Sequence, residues 1–296
     1  MFIDFIYCFH VYIFFLCSGY LFQKQKPKSF VFRIEKFVNF LCLYIIFSGI
    51  TYIVKIIFSS AVNSPVSNSF LEILLFEPIN QMWYLYAIAA IFLFSKFIDS
   101  QKTAYILFGI SLILKIACIV GLKEFLPVPI NYLFENMVWF VLGQLLAYRQ
   151  LKLGKTVSVI FTVLFIALFV VKTLFPFSWL DPILTFLGVM GSAGIVYNLT
   201  KNKAGVTGPW LYLSKYMLQI YLLHTICAAG IRAVLLKLGI SHILPHALLG
   251  LVFSFVVPVI CAVIAEKISF LNILFFPVKT IKKLCQKKKK VNECEV

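Results

Sequence analysis

Two histidines sit where an imidazole is costly. His10 lies inside the apolar run 3–22, and His224 stands about twelve residues into the run 213–236, near mid-depth at about 1.5 Å per helical residue. An ionisable group inside a bilayer costs about 2.5–3.5 kcal/mol on insertion scales, so each is a functional candidate. An imidazole there either hydrogen-bonds a neighbouring carbonyl or moves protons; the second is the work of a general base or an acyl-accepting nucleophile. Glu135, beside Asn131 and Asn136, stands one turn into the run 132–148, where it either lines a polar vestibule or sits at the interface. Lys115 and Lys172 have stems long enough to snorkel outward, and Arg232 either does the same or binds an anion. His242 and His246 fall outside the runs. The eight cysteines form no CxxC and no metal-ligand spacing, and GxGxxG, Walker, HExxH and GxSxG motifs are absent. The expected chemistry uses no metal and no resident cofactor.

The elements that must carry these residues follow from composition. Of 296 residues, 62% are hydrophobic and 13% charged, with a mean hydropathy of +0.98. Soluble domains run near ~45–50% and ~25%. A secreted globular domain, a disordered chain and a nucleic-acid module are thereby excluded, so the net charge of +16 does not imply a nucleic-acid partner. Nine segments are apolar over roughly the twenty residues a bilayer core requires: 3–22, 38–58, 82–98, 104–122, 132–148, 156–175, 181–199, 213–236 and 247–266. Their near-continuous apolarity lacks the alternation of a membrane barrel, and backbone in lipid must bond internally. The expected fold is an all-α, polytopic integral membrane helical bundle of about nine transmembrane helices.

Charge placement orients it. Of the 27 Lys and Arg, 21 fall after the odd-numbered segments, leaving only Lys55, Lys115, Lys123, Lys172, Arg232 and Lys237 elsewhere. Cationic loops stay inside, so the amino terminus is expected outside and the carboxyl terminus in the cytoplasm. The sequence divides into a transmembrane domain, 1–269, and a segment 270–296. The latter reads as a surface-lying apolar stretch (FLNILFFPV) with a polybasic end on anionic membrane lipid. In the connection 59–81, FLEILLF reads as a short interfacial helix.

Three stretches carry a family resemblance. FHVYIFFLCSGYLF (9–22), MWYLYAIAAIFLF (82–94) and LSKYMLQIYLLHTI (213–226) resemble, in order and spacing, spans of the acyltransferase 3 membrane family, particularly its fucose O-acetylase-like branch. FVFRIEKFVNFLCLYIIFS (30–48) and WFVLGQLLAY (139–148) are weaker matches. The resemblance implies about ten membrane helices in the cell (plasma) membrane. It also implies transfer of an acyl group, commonly acetyl from acetyl-CoA, to a hydroxyl of a cell-surface polysaccharide or sugar-lipid precursor.

On the same basis Arg33 and Lys36 would either hold the donor's phosphates or be ordinary positive-inside charge, and His10 and His224, with Tyr221 one turn before the latter, would flank the transfer path. Trp83 and Tyr86 would stack on a sugar or an adenine, or anchor at the interface. The family's first helix carries an Arg and a His about ten residues apart. No counterpart precedes Phe9, so the expectation is a chain lacking that helix and impaired in activity. Leu43-Tyr44 replaces the family's Pro-Tyr, and the basic third-helix entry reduces to Arg33, Glu35 and Lys36. A small-molecule or glycan-precursor exporter explains the spans and charges equally well and differs in releasing no free CoA.

Overall fold

The computed structural model describes residues 2–25, 30–58, 68–94, 100–150, 153–201, 208–282 and 285–286. Those residues form helices and connections, with no strand among them. In chain order the helices are α1 (Phe2–Tyr7), α2 (His10–Lys24), α3 (Phe30–Ile57), α4 (Phe70–Leu75), α5 (Trp83–Phe94), α6 (Gln101–Val120) and α7 (Val128–Arg149). They continue with α8 (Lys155–Leu174), α9 (Asp181–Thr200), α10 (Pro209–Lys215), α11 (Met217–Lys237), α12 (Ile243–Lys267) and α13 (Ser269–Phe275).

Local chemistry sets several of the boundaries. Ser69 and Glu72 close a capping box at the start of α4, the short helix expected in the connection 59–81. Ser100 and Thr103 cap α6 in the same way, while Pro129, Pro182 and Pro209 occupy first turns, where a missing N–H costs nothing. As far as the described residues cover them, the nine apolar segments read from the sequence fall on helices. Among the described residues seven helical stretches are long and apolar enough to cross a membrane: 4–24, 30–57, 101–120, 155–174, 178–200, 217–237 and 243–267. The other two expected spans differ for separate reasons. The α5 region is apolar but short, covering Asn80–Phe94 with its leading 3₁₀ turn, and 95–99 lie outside the described residues. Helix α7 has 22 residues but falls below that hydropathy, because Asn131, Glu135, Asn136, Gln144 and Arg149 interrupt its apolar sequence.

The chain divides into two compact units. The first comprises Met1–Arg33 and Ala90–Val206. Within it α2 packs along α7, α6 against α7, and α8 against α9. The α2–α7 contact is made backbone to backbone. A Cβ on Gly19 would lie 1.9 Å from the Phe140 carbonyl oxygen, and one on Gly143 would lie 2.0 Å from that of Leu16. Such glycines replace the hydrophobic driving force that lipid does not supply. Phe5, Phe9, Phe165 and Phe169 interlock beside Leu180, Leu184 and Leu187 to fill the space between the start of the chain, α8 and α9.

The second unit comprises Ile34–Ala89 and Thr207–Val296 and is built on α11 packed along α12. Tyr44, fully buried on α3, donates to the Ile73 and Leu74 carbonyls at 3.0 and 2.9 Å, satisfying the end of α4. The stretch expected at the membrane surface also makes contacts inside this unit. Helix α13 packs on α12, Phe275 is buried with its ring 5.7 Å from that of Phe47, and Lys282 pairs with Glu35. Much of the basic sequence used for orientation, including Lys26, Lys28, Lys96, Lys152, Lys203, Lys283 and 287–290, lies outside the described residues.

Candidate functional site

In the second unit, α11 presents Tyr221, His224 and Thr225 within one turn. The His224 Nδ1 lies 2.8 Å from the Tyr221 carbonyl and 3.1 Å from that of Ile220. A carbonyl only accepts, so Nδ1 carries a hydrogen, and it is Nε2 that bears the lone pair when the ring is neutral. That is the tautomer of a proton acceptor with a fixed orientation. The Tyr221 hydroxyl donates to the Gln81 carbonyl, and the Gln81 side chain exchanges hydrogen bonds with the Thr225 hydroxyl at 2.8 and 3.0 Å. The turn 80–82, entered through Asn80 at φ 48°, is thus clamped on α11, a left-handed position that asparagine tolerates well.

Tyr84 packs edge-on against Tyr221 at 5.3 Å, and the Tyr221 and His224 rings are 6.1 Å apart. From α12, Ser254 donates to the His224 carbonyl at 3.2 Å, one turn ahead of the buried, helix-interior Pro258. Beyond this network lies an apolar cavity of about 650 Å³ between Val54, Ile57, Cys227, Gly230, Phe253 and Val257. At the other end of α11, Lys215 bonds Glu266 at 3.0 Å and the Tyr216 hydroxyl at 3.3 Å. Glu266 first, then Tyr216, hold that ammonium above its ordinary range.

The first unit holds the other imidazole. His10 Nδ1 lies 3.0 Å from the Ile6 carbonyl, which gives it the same tautomer, and its ring is 4.7 Å from that of Tyr7. Glu135 is half-buried on α7. Its backbone carbonyl accepts from Lys115 Nζ at 3.0 Å, and that ammonium lies over the rings of Tyr12 and Trp139 at 5.4 and 5.7 Å. Lys115 therefore does not reach outward as its stem length allows; a cation–π cage holds it inside the unit. Lys172, in the last turn of α8, reaches the exposed Asp181 across the α8–α9 turn, in keeping with the outward reach expected of its stem. The Lys115 correction has one cause: its partners lie 20 to 103 residues away in sequence, where helical periodicity carries no signal.

The remaining expected site residues are distributed as follows. Arg33 is buried and Lys36 half-buried, one turn apart on α3. Trp83 opens α5, half-buried, and Tyr86 packs edge-on against Tyr44 at 5.3 Å. Within the second unit the structure joins Tyr221 to His224 and adds Gln81 and Tyr84 on Tyr221, Ser254 on His224 and Thr225 on Gln81, none of which sequence reasoning singled out. The signal was the pair Tyr221 and Thr225, four apart and therefore on one helix face. Gln144 was also missed. It is completely buried on α7, and neither amide atom has a partner among the described residues. Among those residues no three His, Cys, Asp or Glu side chains are grouped as metal ligands would be.

No curated protein matches the chain, and no solved structure does. A protein-family comparison does: residues 1–265 match the acyltransferase 3 family, described as an acyltransferase domain. With helices of spanning length and a match covering most of its length, the chain belongs to the acyltransferase 3 family of membrane acyltransferases.

Proposed function

We propose that the chain is an O-acyltransferase moving an acetyl group from cytoplasmic acetyl-CoA to a hydroxyl of a cell-surface polysaccharide or its precursor. The observation that carries this reading is the family match over residues 1–265. The uneven placement of Lys and Arg supports a start of α3 on the cytoplasmic side, where an acyl-CoA donor is found. Arg33 and Lys36 there bind the donor's phosphates, the guanidinium through two parallel hydrogen bonds. Trp83 and Tyr86 supply aromatic faces for the sugar or the adenine, and Glu135 belongs to a polar vestibule on the acceptor side.

His224 Nε2 takes the proton of the acceptor hydroxyl as its oxygen attacks the thioester carbonyl. The C–O bond of the new ester forms, the C–S bond breaks, and the leaving thiolate recovers the proton from the imidazole. Tyr221 positions His224 by anchoring α11 to Gln81. His10, fixed in the same tautomer, is the second proton acceptor of the reading.

Membrane vesicles given radiolabelled acetyl-CoA and glycan test this directly. Labelled glycan and free CoA should appear in equal amounts, and His224→Ala should lower both about 100-fold. Movement of an unaltered substrate without CoA release would replace the enzyme by an exporter. Undiminished transfer in the variant at normal protein level would remove His224 from the reaction.

A further inference from the structure

The first unit contains a second cavity, of a different character from the apolar one beside α11. It encloses about 530 Å³, inside the ~300–1,000 Å³ range of small-molecule sites. Aromatic rings from Tyr7, Tyr12 and Phe169 line it together with the carboxylates of Asp4 and Asp181 and the ammonium of Lys172. We propose that this cavity binds one pyranose ring of a neutral carbohydrate, namely the acyl acceptor. The identification of the ligand as the acceptor rests on the transferase reading above; the carbohydrate chemistry of the cavity does not.

The lining selects its ligand by three features. Aromatic rings offer flat apolar surface, which suits the C–H face of a pyranose, and the carboxylates accept hydrogen bonds from its hydroxyls. The one lining ammonium, Lys172, is already paired with Asp181, so the lining offers the phosphates of a nucleotide or of CoA no uncommitted side-chain cation. The polar groups are also held in place beforehand. Lys172 is bonded to Asp181, and the Tyr12 ring is braced on its other contact by the Lys115 ammonium at 5.4 Å. Such bracing reduces the ordering cost of binding.

Position agrees with the chemistry. The cavity is formed at the start of α2, the end of α8 and the start of α9, the ends that charge placement assigns to the outer side, where polysaccharide is found. Tyr7 connects it to a proton acceptor, because its ring lies 4.7 Å from that of His10. The cavity beside α11 has only Lys237 as a charged lining group and offers a sugar few partners.

The test uses the full chain in a detergent without a sugar head group and saturation-transfer NMR with methyl glucoside, methyl galactoside and methyl fucoside. Saturation should reach the C–H protons of at least one glycoside. Tyr7→Ala should reduce that transfer about tenfold, and Thr173→Trp, which fills the cavity, should abolish it. In the vesicle assay both variants should raise KM for glycan about tenfold and leave KM for acetyl-CoA unchanged. No saturation of any glycoside by the unaltered chain, or equal saturation in both variants, overturns the proposal. If that happens while acetyl transfer persists, only the subsite is lost. If sugar binding depends on Tyr7 but the unaltered chain transfers no acetyl group, the carbohydrate site stands and the transferase reading fails.

Discussion

Helices α7 and α12 are of similar length and opposite design. Helix α12 is the most apolar candidate span, with a mean hydropathy of 2.8, yet of its 25 residues only Pro258, Ala262 and Ala265 are buried. Helix α7 carries Asn131, Glu135, Asn136 and Gln144, and twelve of its 22 residues are buried. In water the ranking would be reversed. In lipid the solvent is as apolar as leucine, so hydropathy marks the outer surface, and small or polar residues mark the interior where helices meet and chemistry is done. A hydropathy scan therefore finds most readily the helices that contribute least to the packed interior.

Three substitutions sharpen or break this contrast, in falling order of effect. Gly143→Leu should be the most damaging, since even its Cβ would lie 2.0 Å from the Leu16 carbonyl oxygen. A loss of about 3 kcal/mol or more is expected, read as disappearance of monodisperse protein in detergent. Gln144→Leu should leave the fold intact and raise thermal stability by roughly 2–4 °C, because it removes an amide buried without partners. A drop in melting temperature instead would show that the polar interior of α7 is structural rather than functional. Gly250→Ala on α12 meets nothing within 4 Å and should change stability by no more than about 0.5 kcal/mol.

Most of the architecture was legible because it is periodic and local. Apolar runs located the helices, FLEILLF marked α4, and the strings around His10 and His224 identified the family that the comparison then showed. The site was legible only in its costliest members. An imidazole in an apolar run stands out, whereas Gln81 sits in a connection, and its link to Thr225, 144 residues away, has no local trace. Lys115 shows the same limit. Stem length alone is compatible with snorkelling, and only the fold shows that Tyr12 and Trp139 hold it. Helix α7 was found as a span, but its role at the centre of the first unit lies in which neighbours it touches.

The glycine contact between α2 and α7 also bears on biogenesis. The ribosome completes α2 more than a hundred residues before α7 emerges, and most of the second unit's α3 to α5 is threaded in between. Throughout that interval the Gly19 face of α2 waits in the bilayer without the backbone it fits. A nascent chain halted before Val128 exposes that unmatched groove to membrane quality control. Slow translation through 90–127 should therefore lower the yield of assembled protein more than an equal delay after Arg149.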